Sequence, residues 1–165
     1  MFRKTRKIRR SNKMLQKSYS NKPSYEIPLY NIGTSYLDRE RYEEAIEWYN
    51  KTIEINPSYE QAWYNKGASL LALGRHEEAI ECYDKVIELN PSYEQPWYNK
   101  ALYLYELERY EEAIVCFDKI IEMGHYSEYR KNALHNKGVC LDNLGRHEEA
   151  IEWYNKAKEQ WVFHI

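Results

Sequence analysis

"INPSYEQAWYNKGASLLALGRHEEAIECYDKVIEL", residues 55–89, reads a second time as "LNPSYEQPWYNKALYLYELERYEEAIVCFDKIIEM" at 89–123. The period is 34 residues. "EEAI" marks the same place four times, at 43–46, 77–80, 111–114 and 148–151, in steps of 34, 34 and 37. Self-similarity at such a period is the mark of a repeat array. The copies run over 26–59, 60–93, 94–130 and 131–165, with three extra residues near "GHYSEYR" before the last.

Each copy holds two helical patterns. Trp63, Gly67, Leu70 and Leu73 fall on one face of a first helix. Ala79, Tyr83, Val86 and Leu89 fall on one face of a second. Gly74-Arg75 separates them, and Asn90-Pro91-Ser92 stops the second helix. Pro57 and Pro91 sit just past helix ends, whereas Pro96 falls in a first turn, where a missing N–H costs little. No run shows sustained alternation bounded by turns, so strands are not expected. One such helix pair cannot bury its apolar face alone, but stacked pairs build a continuous core. The expected fold is all-α, a superhelix of about four stacked antiparallel helix pairs.

The register sorts the tetrapeptide "WYNK", which occurs four times. Trp63–Lys66 and Trp97–Lys100 are equivalents 34 apart at the start of first helices. Trp48–Lys51 and Trp153–Lys156 are equivalents 105 apart within second helices. The same letters therefore face different neighbours. Lys66, Lys100 and Lys137 share one first-helix position, where the stem is expected to cover apolar surface while the ammonium reaches water.

Trp63, Gly67, Leu70, Ala79, Tyr83 and Pro91, at these spacings, resemble the tetratricopeptide repeat. The first copy carries the pattern as Leu29, Ile32, Gly33, Tyr36, Ala45, Tyr49 and Pro57. The third carries Trp97, Ala101, Leu104, Ala113 and Phe117, and the fourth Leu134, Gly138, Leu141, Ala150 and Tyr154. The resemblance covers roughly residues 26–160. Small residues recur at Gly33, Gly67, Ala101 and Gly138 in the first helices, and at Ala45, Ala79, Ala113 and Ala150 in the second. They are expected to let paired backbones approach closely.

Residues 1–22 hold nine Lys or Arg and no acid, ahead of an acidic remainder. This basic tail, residues 1–25, is expected to carry a short helix around 11–22. The start is polar, with no secretory leader and no stretch fit to span a membrane, so the reading is a cytoplasmic protein without a membrane partner. Cys82, Cys116 and Cys140 are odd in number and widely spaced, as expected of reduced thiols rather than a disulfide frame or zinc site. "WVFHI" at 161–165 is apolar. An exposed apolar end would favour homo-oligomers, because terminal repeats ordinarily need a polar outer face.

No phosphate-binding glycine loop, HExxH, CxxC or GxSxG occurs. The paired glutamates of each "EEAI" complement helix dipoles and need no catalytic role. His76 and His147 are expected to pack between helices. The chain is therefore read as non-enzymatic and without cofactor or metal.

What remains is a binding surface. The resemblance implies that the stacked first helices line a concave groove for a protein or peptide. The ligand positions map onto Tyr30 and Asn31, Tyr64 and Asn65, Tyr98, Asn99 and Tyr105, then His135 and Asn136. An amide offers donors and an acceptor suited to a peptide backbone, or alternatively to a neighbouring helix. Tyrosines offer rigid amphipathic contact area. Family members that hold acidic chaperone tails use a basic clamp. Here Tyr30, Thr34, Tyr98, Leu102 and Glu106 stand in its place, which argues for a partner segment with apolar and basic side chains. The alternatives are a self-assembling module, or nucleic acid bound through "RKTRKIRRSNK" at 3–13, where affinity would fall steeply with salt.

Overall fold

The computed structural model describes residues 25–124 and 127–162, with side chains to residue 159. The basic stretch 3–13, the expected helix around 11–22 and the side chains of "WVFHI" lie outside the described residues. The described chain forms α1 (Glu26–Leu37), α2 (Tyr42–Ile55), α3 (Glu60–Ala72), α4 (His76–Leu89), α5 (Glu94–Glu106), α6 (Tyr110–Met123), α7 (Glu128–Asn143) and α8 (His147–Val162), with no strand among those residues. Consecutive helices pack against each other throughout, giving four stacked pairs. No helix among the described residues is long and apolar enough to cross a membrane.

The turn within each pair has one construction. The N–H groups of Arg41, Arg75, Arg109 and Arg146 reach back to the carbonyls of Tyr36, Leu70, Leu104 and Leu141 at 2.8–3.0 Å. One residue earlier, Glu40, Gly74, Glu108 and Gly145 bond to the carbonyls of Leu37, Leu71, Tyr105 and Asp142, all with φ between 57° and 74°. This is the Schellman ending, whose left-handed residue suits glycine. Glutamate fills it twice, at a cost of about 1 kcal/mol each. The arginine then opens the second helix and pairs with the glutamate three residues on, as Arg75 Nη2 does with Glu78 at 2.6 Å. α6 ends differently. Gly124 is left-handed with φ 72°, and Ser127 Oγ accepts from the Arg130 N–H to start α7.

Inside each pair the small first-helix residue meets an aromatic ring rather than a backbone. A Cβ on Gly33, Gly67 or Gly138 would lie 2.7, 3.2 and 2.5 Å from ring carbons of Tyr49, Tyr83 and Tyr154. The third pair has Ala101 and Phe117 in these places, both buried. The alanines of the second helices, Ala45, Ala79, Ala113 and Ala150, are fully buried. Between pairs, Ile46, Ile80 and Ile114 on the second helices are buried against the next pair, Ile80 in one cluster with Ala101 and Leu104. Ala62 lies in turn against Ala45 and Tyr49 of the preceding pair.

Two further expectations change. The ammonium groups of Lys100 and Lys137 do not simply reach water. They pair with Asp84 and Asp118 of the preceding second helix at 2.5 Å, and Lys137 also lies over the Trp153 ring at 3.7 Å. For Lys66 the position equivalent to Asp84 is Asn50, which offers no charge, and the ammonium lies over the Trp63 ring at 5.3 Å. His76 packs on Tyr103 of the next pair, with ring centres 6.1 Å apart. His147 is largely exposed and contacts Asp142 at 3.0 Å, because no described pair follows it.

The two kinds of "WYNK" are distinct in space. Trp63 and Trp97 donate their indole N–H to the carbonyls of Pro57 and Pro91 at 2.9 and 3.0 Å, tying each first helix to its connection. Trp48 and Trp153 carry Lys51 and Lys156 over their rings at 3.9 Å.

Candidate functional site

The first helices α1, α3, α5 and α7 present the expected tyrosines and asparagines on one face, and the structure joins them in pairs across the repeat boundary. Asn65 Nδ2 donates to Tyr30 Oη at 2.9 Å, Asn99 to Tyr64 at 2.9 Å and Asn136 to Tyr98 at 3.1 Å. These rungs hold each first helix to the one before it. Asn31 has no such partner among the described residues and is exposed. His135 takes the tyrosine position of the last pair, exposed, with its ring 5.3 Å from Tyr154. Tyr105 leans on Tyr110 at 5.4 Å.

Each rung tyrosine also has two aromatic neighbours. Behind Tyr30, Tyr64 and Tyr98 stand Tyr49, Tyr83 and Phe117, at 5.8, 5.6 and 6.1 Å. Beside them stand Tyr59, Tyr93 and Tyr129, at 5.1, 6.1 and 5.5 Å. This second set is absent from the sequence-derived site. The recurring "PSYE" before the first helices, which supplies Tyr59 and Tyr93, was the signal that could have found it. Burial pushes the Tyr64 hydroxyl up to about 12 against the opposing effect of Asn99, and raises Tyr98 in the same sense. Both stay protonated near neutral pH. Each rung hydroxyl accepts from an asparagine and keeps its own proton for donation.

Because the rungs bind repeat to repeat, Tyr64→Phe and Asn99→Ala should each destabilise by about 1 kcal/mol. In the double variant the losses should not add, and the shortfall in urea unfolding measures a coupling of about 1 kcal/mol.

Two cavities open on this face. One of about 240 Å³ is lined by Leu102, Tyr105, Phe117, Asn136 and Val139. The other, about 430 Å³, lies between Tyr30, Gln61, Tyr64 and Tyr93. Asp38 and Glu106 are exposed at the ends of α1 and α5. Asp142 is engaged by His147 and by Tyr154 Oη at 2.8 Å, and these bonds lower its pKa.

Cys82, Cys116 and Cys140 are buried and free, and burial pushes each thiol up to about 11 from 9.0. A shift of that size lowers the thiolate fraction about 100-fold near neutral pH. A thiol reagent should therefore leave all three unmodified in the folded protein and label all three after unfolding. Among the described residues, no group of three His, Cys, Asp or Glu side chains is placed to hold a metal ion.

Comparison with curated proteins finds no match. Solved structures do match. "Crystal structure of MamA protein" is 23% identical, with a TM-score of 0.75 over 84% of this chain and 74% of that one. "Crystal structure of MamA" is 22% identical, with a TM-score of 0.76 over 89% and 84%. "MamA 41-end from Desulfovibrio magneticus RS-1" is 21% identical, with a TM-score of 0.73 over 86% and 78%. At these identities the likeness is one of fold. Models described as "Tetratricopeptide repeat" match residues 60–93 and 92–161, and one described as "TPR repeat" matches 33–74. The period, the paired helices and these matches agree, and the chain belongs to the tetratricopeptide repeat family.

Proposed function

We propose that this protein is a non-enzymatic interaction scaffold that holds an extended or short helical segment of another protein along the face of its first helices. The observation that carries this reading is the cavity of about 240 Å³ between Leu102, Tyr105 and Val139, which borders the polar rung of Tyr98 and Asn136. An apolar pocket beside a row of orientable donors and acceptors suits a peptide whose side chain is anchored and whose backbone is read. Tyr98 Oη accepts from Asn136, so its proton is available to a peptide carbonyl, and the Asn136 carbonyl oxygen is available to a peptide N–H. Exposed Asp38 and Glu106 favour basic residues flanking the apolar anchor. Free, buried cysteines suit a reducing compartment, and we place the protein in the cytoplasm on that ground.

The rungs dictate how this is tested. Alanine at Tyr64, Tyr98 or Asn99 would loosen the stack itself. Leu102 and Val139 are half-buried pocket residues outside the rungs, so Leu102→Glu/Val139→Glu is the better probe. Selection from a random peptide library should return sequences with an apolar residue flanked by Lys or Arg. These should bind the wild type and lose affinity at least 10-fold in the double variant, whose helical circular dichroism is retained. Peptides that bind both proteins equally would defeat the proposal.

A further inference from the structure

The first and last described helices expose complementary faces. Inside the chain, each second helix seats an isoleucine on the next pair, and Ile46, Ile80 and Ile114 are only 8%, 6% and 9% exposed. The equivalent on α8 is Ile151, which is 59% exposed. At the other end, Ala62, Pro96 and Ala133 are buried beneath the preceding second helix, whereas their equivalent Pro28 on α1 is exposed. Ser69 and Cys140 are buried, whereas their equivalent Ser35 is exposed. α8 and α1 thus carry the two halves of an interface that occurs three times within the chain.

The polar details also match. At one internal junction Arg109 Nη1 reaches Glu77 of the preceding pair at 3.1 Å, and at the other two Arg75 and Arg146 feel the charge of Glu43 and Glu111. The corresponding arginine at the open head is Arg41, and the corresponding glutamate at the open tail is Glu148. The rung asparagine at the head is Asn31, without a partner among the described residues. The rung residue at the tail is His135, whose ring nitrogen can accept from an amide as a tyrosine hydroxyl does. Where Lys100 and Lys137 pair with Asp84 and Asp118, the head has Ile32 and the tail Asn155. Both members of the ion pair are missing together, so joining the ends leaves no charge buried alone.

We propose that the α8 face of one copy docks on the α1 face of a second, repeating head to tail the interface that joins helix pairs within the chain. The contact is heterologous, so it propagates into rings or open chains rather than stopping at a symmetric dimer. It leaves the face of the first helices open and is independent of the peptide-binding reading.

The test is the molar mass of the full-length chain by light scattering over a concentration series. Ile151→Glu blocks the tail and Ser35→Glu blocks the head, and both positions are exposed in the single copy, so the fold should survive. Circular dichroism checks that it does. The wild type should rise above monomer mass with concentration, each variant alone should stay monomeric, and an equimolar mixture should form a 1:1 dimer through the one intact head and tail. That last result separates a heterologous contact from a symmetric one. A wild type that stays monomeric at every concentration, its ends covered by its own residues 1–24 and 160–165 or by nothing, overturns the proposal. So do assemblies that persist undiminished in both variants, and so does a mixture that stays monomeric while the wild type assembles.

Discussion

Gly33→Ala should lower stability by about 2 kcal/mol, although alanine is the better helix former by roughly 0.5–1 kcal/mol. The added Cβ would lie 2.7 Å from Cε1 and 2.9 Å from Cδ1 of Tyr49. That ring is completely buried, with Ala45 and Ala62 in its cluster and Tyr30 against it, so it has little room to withdraw. Overpacking of this kind costs about 1–3 kcal/mol, and here it exceeds the helix gain. Gly67→Ala is the internal control. Its Cβ would meet Tyr83 and Cys82 at 3.2–3.3 Å, a contact that a shift of a few tenths of an ångström relieves, and its net effect should be near zero. The third pair shows how a Cβ is accommodated, because it has Phe117 where the others have tyrosine and Ala101 where they have glycine. A ring without a hydroxyl can slide, so Gly33→Ala/Tyr49→Phe should recover most of the loss. The Tyr49 hydroxyl is buried and makes no hydrogen bond of normal geometry, although the Thr34 and Asn65 side chains lie beside it, so removing it forfeits little. Urea midpoints of the four proteins decide the matter. Equal losses at Gly33 and Gly67 would show that the ring does not set the requirement.

The glycines also show what was legible in the sequence. A period of 34 residues fixed two helices per copy, their ends at Asn-Pro and Gly-Arg, and the buried alanines, because these depend on local chemistry and on a face that must be covered. That Gly33 and Gly67 are small for a reason was readable, but the ring as that reason was not. It depends on a residue 16 positions on whose side chain could turn several ways. The same holds for the site. Tyr64, Asn99 and their equivalents were readable as one face, yet a bond between two residues 35 apart is indistinguishable in sequence from two residues facing a ligand. Lys100 looked like a stem with a solvated end because Asp84 lies on the preceding helix, in another copy of the repeat. A repeat sequence states which positions are equivalent. Which positions touch follows only when the offset between copies is known in space.

That offset also governs how damage spreads. Ala79→Leu should destabilise by about 3 kcal/mol, the upper end for overpacking, because Ala79 is fully buried on α4 and pairs stand on both sides of that helix. Ala150 is equally buried in the equivalent place on α8, yet Ala150→Leu should cost only about 1 kcal/mol. α8 has no described pair beyond it and can yield outward, as the exposure of Ile151 shows. In an array whose units touch only their neighbours, stability is a sum of unit and interface contributions, so an internal fault weakens two interfaces and a terminal one weakens a single interface. Ala79→Leu should also change the form of unfolding. With the second pair weakened, the first pair is coupled to the third and fourth through a poor link, and one cooperative transition should divide into two. Tryptophan fluorescence follows this, because the five tryptophans are spread over all four copies of the repeat, from Trp48 in the first to Trp153 in the last. Hydrogen exchange should show α1 and α2 losing protection well before α6 and α7 in Ala79→Leu, and the wild-type order in Ala150→Leu. Equal midpoints and a single transition in both variants would mean that the four pairs respond as one undivided core, in which case the position of a pair in the stack would not matter.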